Sequence, residues 1–258
     1  MRKMNRNVIV ALLTVVAMMV TACTSTGITQ DDAIAAAMAG ANRTDTDRER
    51  DARSRPEVIL GMLDLQPGDS TADIFGGGGY YAVLMANLVG ADGEVILHNN
   101  TPYSRFVEKQ NNERFGDNQV PNIRLLKSEV DDLKLSPGSL DAVLMVMSYH
   151  DLYFHAPDRG WGNTDVRLFF SQIRAAMKPG GRLVIVDHAA ADGSGKSAAQ
   201  DIHRIDEAFA KQDIESNGFR FVTSSDVLRN PEDDRTKMVF DKSIRGKTDR
   251  FILVFERQ

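Results

Sequence analysis

Four consecutive glycines, Gly76–Gly79, constrain this chain more than any other stretch. They follow Thr71-Ala72-Asp73-Ile74, which reads as a short buried strand, and precede Tyr80 to Leu88, which reads as a helix. A turn stripped of Cβ atoms bends sharply and lets a ligand come close to the backbone. A helix opening directly behind it aims its free N–H groups at whatever sits in the crevice. Strand, glycine turn and helix together make the nucleotide-cradling half of a doubly wound α/β fold. The same glycines also suit a turn that is merely tight.

The rest of the chain repeats that alternation. After a Pro56–Leu63 helix and the first strand, further strands are expected at Glu94–His98, Ile123–Lys127, Leu140–Met147, Arg182–Asp187, Phe219–Val222 and Phe251–Phe255. Helices are expected between them at Tyr103–Phe115 and Asp165–Met177, with one long helix over Ala199–Ser216. Strands alternating with helices imply a seven-stranded, mainly parallel sheet covered on both faces.

The N-terminus reads differently. Arg2, Lys3 and Arg6 make a positive start, and Val8 to Val20 is an apolar run of signal-peptide length, short for a membrane span. Val20-Thr21-Ala22-Cys23 sets small residues before the one cysteine and resembles the bacterial lipobox, in which the chain is cleaved before a cysteine that is then acylated; an ordinary secretory signal or a short anchor would also suit the run. That resemblance implies a leader over 1–22, a lipid anchor on Cys23 and an exported lipoprotein held to the membrane on the periplasmic side of the cell envelope. Residues 23–54 then form a tether and a helical extension, with an Ala-rich helix at Gln30–Met38 and a mixed-charge stretch at Arg43–Arg55 that reads as a solvated helix or linker. Residues 55–258 form the main domain. A net charge of −5 argues against a nucleic-acid partner, and a single cysteine excludes an intrachain disulfide or a CxxC site.

In such sheets ligands bind outside the carboxyl ends of the strands. His98, His150 and His188 map there, and carboxylates adjoin two of them in His150-Asp151 and Asp187-His188. On the expected long helix, His203 and Asp206 are three apart and share a face, while Ile202, Ile205 and Phe209 form an apolar stripe. These residues suit a catalytic or substrate pocket; structural histidines closing loops would give the same pattern. No HxH or HExxH spacing appears, so no metal site is expected. Arg245, Lys247 and Arg250 follow a long connection and could receive an anionic group or simply be solvated.

Asp73 to Gly79, Lys178-Pro179-Gly180-Gly181 before the fifth strand and the closing strand Phe251–Phe255 resemble the class I S-adenosylmethionine-dependent methyltransferases. The segments Tyr149-His150-Asp151, Asp187-His188-Ala189-Ala190, His203-Arg204-Ile205-Asp206 and Arg245 to Arg250 look more narrowly like a group of exported, uncharacterised predicted bacterial methyltransferases. The resemblance implies a Rossmann-like fold with an antiparallel last strand, S-adenosylmethionine as cofactor and a small-molecule or envelope substrate. By position, Asp73 would organise the turn and face the methionine end, Gly77 and Gly79 would let the backbone approach, and Glu129 would contact the adenine amine. The acid that usually closes the second strand is absent, leaving Asn99 to meet the ribose, and Phe75 replaces the first glycine of the signature. His150 is the expected base and Asp151 its orienting partner, with His203 and Asp206 on the substrate side. Phe75, the missing acid and the cytosolic origin of S-adenosylmethionine also suit a catalytically inactive binding module. Gly77-x-Gly79-x-x-Ala82 fits a dinucleotide fingerprint more loosely.

Overall fold

The computed structural model describes residues 29–258; the expected leader, Cys23 and most of the tether lie outside them. Seven strands build one sheet: β1 (Ser70–Ile74), β2 (Glu94–Asn99), β3 (Ile123–Lys127), β4 (Leu140–Val146), β5 (Met177–His188), β6 (Phe219–Ser225) and β7 (Arg250–Arg257). Their order is β3-β2-β1-β4-β5-β7-β6. Only β7 runs antiparallel to its two neighbours. The order reverses direction between β1 and β4, which pair directly through Thr71↔Ala142 to Ile74↔Met145. That reversal opens the crevice in which doubly wound sheets bind ligands.

The principal helices are α1 (Gln30–Ala39), α2 (Asp45–Ser54), α3 (Pro56–Leu63), α4 (Tyr80–Val89), α5 (Thr101–Phe115), α6 (Val166–Ala176), α7 (Ala199–Ile202) and α8 (Glu207–Ser216). Side chains of Thr29, Thr44, Asn100, Asp165 and Asp206 cap α1, α2, α5, α6 and α8. No side chain caps α4; it starts from Gly79 at φ 77, in the left-handed region that favours glycine. Both sheet faces are covered. One core joins α1, α3 and α4 to Val95, Leu97, Leu144 and Val186, and the other joins α6 and α8 to Ile74, Met145 and Ile185. Among the described residues no helix is long and apolar enough to cross a membrane.

Two expectations need correction. The mixed-charge stretch does not stand off as a linker, because α2 lies against the glycine turn. Arg43 pairs with Asp51 at 2.5 Å, Tyr80 donates to Asp51 at 2.7 Å, Arg114 pairs with Asp47, and the Arg50 guanidinium sits 4.1 Å from the Tyr80 ring centroid. Arg43, Asp47 and Asp51 are paired on its inner side, while Asp45, Glu49 and Arg53 stay exposed on a solvated helix face. The long helix over 199–216 is broken. His203 takes φ 55, and the chain runs on through Ile205, which bridges to Ala189, before Asp206 caps α8.

The break is held by a buried cation. Arg204 is fully buried; its Nη1 donates to Ala189 O at 3.0 Å and to Asp233 at 2.8 Å, and its Nε to Lys237 O at 2.9 Å. This pins the connection between β6 and β7 to the end of β5. Arg204→Met should cost about 3–5 kcal/mol because Asp233 is left buried and unpaired, whereas Arg204→Met with Asp233→Leu should recover most of the loss. Urea unfolding of the two variants checks this.

Candidate active site

The turn after β1 is braced from several sides. Asn99 accepts from Gly77 N at 2.9 Å and donates to Gly77 O at 3.0 Å. Asn111 of α5 donates to the same carbonyl at 3.2 Å, and Arg114 donates to Gly78 O at 3.0 Å. A Cβ on Gly76 would fall 2.4 Å from the Asp73 carboxylate, one on Gly79 2.5 Å from Phe115, and one on Gly77 would meet nothing within 4 Å. Gly77, at φ 59, is thus the point where the turn faces open space. Phe75, at φ 55, sends its ring into an aromatic stack with Tyr103 at 5.3 Å and Phe169 at 6.0 Å between centroids.

Four buried polar atoms around this edge have no partner among the described residues: Asp73 Oδ2, His98 Nδ1, Asn111 Oδ1 and Ser148 Oγ. A buried polar atom without a hydrogen bond is costly and calls for a ligand or water. Burial pushes the Asp73 carboxyl up to about 7 against the pull of Arg50 and the Ala82 amide. Burial likewise lowers His98 to about 4, and its Nε2 meets Ser128 O at 3.1 Å. His98 is therefore a neutral structural imidazole beside the turn.

Beyond β4, three imidazoles converge. The His150 ring centroid lies 5.8 Å from that of His188 and 5.4 Å from that of His203. Asp187, wholly buried at the end of β5, accepts His150 N and Nδ1, both at 2.8 Å, and His188 N at 2.7 Å. Asp151 accepts the Tyr103 hydroxyl at 2.7 Å, while its other oxygen lies 3.4 Å from His150 Nε2 and 3.5 Å from His203 Nδ1. Burial alone would lower His150, but Asp187 and Asp151 raise it to about 9. Burial would raise Asp151, but the His150 charge, the nearby His203 and the Tyr103 hydrogen bond hold it below the ordinary carboxylate value. His188, on Thr248 at 2.7 Å, is lowered well below the usual imidazole range by burial and by the His150 charge.

These contacts revise several expected roles. Asp187, not Asp151, orients His150 through its Nδ1, and the two carboxylates together favour the protonated ring. His203 does join Asp151, but from the break rather than from a helix face. Asp206 does not join them: it caps α8 through Ala208 N at 2.9 Å and meets Gly195 N at 3.3 Å. Asn99 has both amide atoms on Gly77. Glu129 accepts Thr101 N at 3.2 Å and Thr101 Oγ1 at 2.5 Å, at the start of α5. Arg250 is buried and donates to Arg53 O, so it does not offer a free charge. The site includes Tyr103, Asn111, Asp187 and Thr248, none of which the sequence singled out as a site residue; only the Asp187-His188 adjacency hinted at one of them.

Residues 72–185, from β1 into β5, match the methyltransferase domain family, a stretch of under half the chain. No curated protein matches the sequence. Among solved structures, a SAM-dependent methyltransferase from Aquifex aeolicus is similar at TM-score 0.57 and 19% identity, over 83% of this chain and 98% of that one. Geranyl diphosphate C-methyltransferase from Streptomyces coelicolor, solved with Mg2+, a substrate analogue and S-adenosyl-L-homocysteine, is similar at TM-score 0.58 and 15% identity, over 86% and 84%. An arsenic(III) S-adenosylmethionine methyltransferase from Chlamydomonas reinhardtii follows at TM-score 0.51 and 15% identity, over 86% and 72%. At such identities the likeness is one of fold: the sheet is the Rossmann-like one that these S-adenosylmethionine-dependent methyltransferases share, and its centre is the stretch that matches the methyltransferase domain model.

The Asp73 environment gives a pH test. In the unfolded chain this carboxyl ionises near about 4. Its raised folded value means that its contribution to stability is whole below that pH and is lost as pH rises through about 7. Asp73→Asn removes the loss. Its melting temperature, measured without ligand, should equal that of the wild type near about pH 4 and exceed it by several degrees near about pH 8.

Proposed function

We propose that this protein transfers a methyl group from S-adenosylmethionine to a small-molecule nucleophile at the carboxyl edge of β1 and β4. The carrying observation is Tyr103. Its ring stacks on Phe75 of the glycine turn while its hydroxyl bonds Asp151, so the turn and the imidazole cluster are one site. The residues suit the cofactor: Gly77 faces open space, and Asp73 Oδ2 and Asn111 Oδ1 are buried acceptors without partners that can receive an ammonium or hydroxyl group. The bound cofactor supplies an electrophilic methyl on sulfur, and the protein's tasks are alignment and management of the acceptor's proton. Tyr103, Asp151, His150 and His203 face the acceptor side. Asp151 Oδ1, beside the His150 ring that Asp187 orients, can take the proton that the acceptor loses as its bond to the methyl carbon forms and the sulfur–methyl bond breaks.

Calorimetry with S-adenosylhomocysteine tests the reading. Saturable binding should weaken on Asp73→Asn, and His150→Gln should leave it within a few-fold while lowering turnover of any identified acceptor by about 10²-fold or more. A specific observation favours a second reading, a methyltransferase-like binding module: both amide atoms of Asn99 are already committed to Gly77. Absence of binding by the folded wild type would support that module and overturn methyl transfer.

We further propose that the chain is exported and lipid-anchored, on the strength of the basic start, apolar run and Ala22-Cys23 junction. Metabolic labelling with an alkyne fatty acid should tag the full chain and should fail on Cys23→Ser. Equal labelling of the two would remove the anchor.

A further inference from the structure

His150, Asp151 and His203 each offer a ligand-type atom, and these atoms all lie within 4.8 Å of one another. Two of the three separations share one atom. Asp151 Oδ1 is 3.4 Å from His150 Nε2 and 3.5 Å from His203 Nδ1. A charge-assisted N–H···O bond closes to about 2.7–2.9 Å. The carboxylate makes such a bond elsewhere, to Tyr103 at 2.7 Å, so it is not held off by poor packing. A spacing near 3.4 Å is what a central cation imposes, because bonds of about 2.1 Å meeting at a tetrahedral angle set ligand atoms about 3.4 Å apart.

We propose that His150 Nε2, Asp151 Oδ1 and His203 Nδ1 bind one divalent first-row transition-metal ion of the zinc type. Two imidazoles with one carboxylate suit that class; the harder magnesium and calcium ions take oxygen ligands. The outer contacts point the same way. Asp187 accepts the His150 Nδ1–H at 2.8 Å, which turns Nε2 toward the cluster, where the ion replaces its proton, and Tyr103 donates to Asp151 Oδ2, which leaves Oδ1. Carboxylates behind ligating imidazoles and hydrogen bonds on ligating carboxylates are the usual supports of a metal site. His203 reaches its place through a left-handed backbone at φ 55, a conformation that non-glycine residues keep where the surroundings demand it. Charge also balances. Asp151 and Asp187 are both buried, and with neutral imidazoles they would leave two negative charges, which one divalent ion cancels. Three protein ligands leave a coordination position open to water or an acceptor heteroatom. The three residues stand at 150, 151 and 203, a spacing that no linear metal motif carries.

This inference does not rest on methyl transfer. The full chain, stripped with chelator and titrated with Co(II) and with Zn(II), should bind one ion per chain, with the visible absorption of a low-coordinate Co(II) site. Asp151→Asn and His203→Gln should each weaken binding at least about 100-fold, and Asp187→Asn, which removes no ligand but weakens the support behind His150, by about 10–100-fold. His155→Ala, outside the cluster, should bind as the wild type does. Circular dichroism confirms that each variant is folded, and the near-isosteric Asp151→Asn keeps the test open if His203→Gln unfolds. No stoichiometric binding by the folded wild type overturns the proposal, and so does undiminished binding by Asp151→Asn. S-adenosylhomocysteine titrated in parallel separates this failure from that of the methyltransferase reading.

Discussion

The Asp187 carboxylate is the fixed point of the site. It sits at the end of a strand buried on both faces and receives three N–H groups, two from His150 and one from His188. A buried carboxylate is tolerated only when its lone pairs are so occupied. By filling them, Asp187 joins the loop after β4 to the end of β5, sets the direction of the His150 ring and, through that ring, the position of Asp151. The cluster thus takes its geometry from the sheet rather than from a flexible loop, as a site requiring sub-ångström placement must.

The nucleotide side of the crevice is organised by a different device. Four glycines remove the side chains, and Asn99, Asn111 and Arg114 then rebuild the turn's rigidity through its own carbonyls and one amide. The N-terminal extension completes this, since Asp47 holds Arg114 and Asp51 holds Arg43 and Tyr80. Flexibility that glycine introduces in the unfolded chain is removed in the folded one by polar contacts from α2 and α5. Gly77 is left facing free space, and the buried acceptors Asp73 Oδ2 and Asn111 Oδ1 are left without a donor.

Much of the sheet was legible in the sequence because its strands are apolar runs bounded by glycine and proline; all seven form, although β5 begins at Met177, five residues before its expected start at Arg182, and takes in the Pro-Gly-Gly turn. The break after α7 was hidden. Ile202, Ile205 and Phe209 carry helical spacing, yet Ile205 serves an isolated bridge to Ala189, and fully buried Arg204 is tolerated only because Asp233, far along the chain, meets it. Likewise the inner charges of α2 read as solvated because their partners, Arg114 and Tyr80, lie on elements distant in sequence. Within the site, histidines at strand ends were visible, but the pairing of His150 with Asp187 instead of its neighbour Asp151 depends on the direct contact of β4 with β5. Local spacing carries no trace of that contact.

The placement of β7 between β5 and β6 bears on how the molecule assembles. In a chain synthesised from its N-terminus, β6 has no hydrogen-bonding neighbour until residues 250–257 have emerged. One flank of the sheet must wait for them, and such non-local strand pairing is slower than local helix formation. The two outermost strands therefore join the sheet as a pair, and β6 is seated only when β7 has been laid against β5.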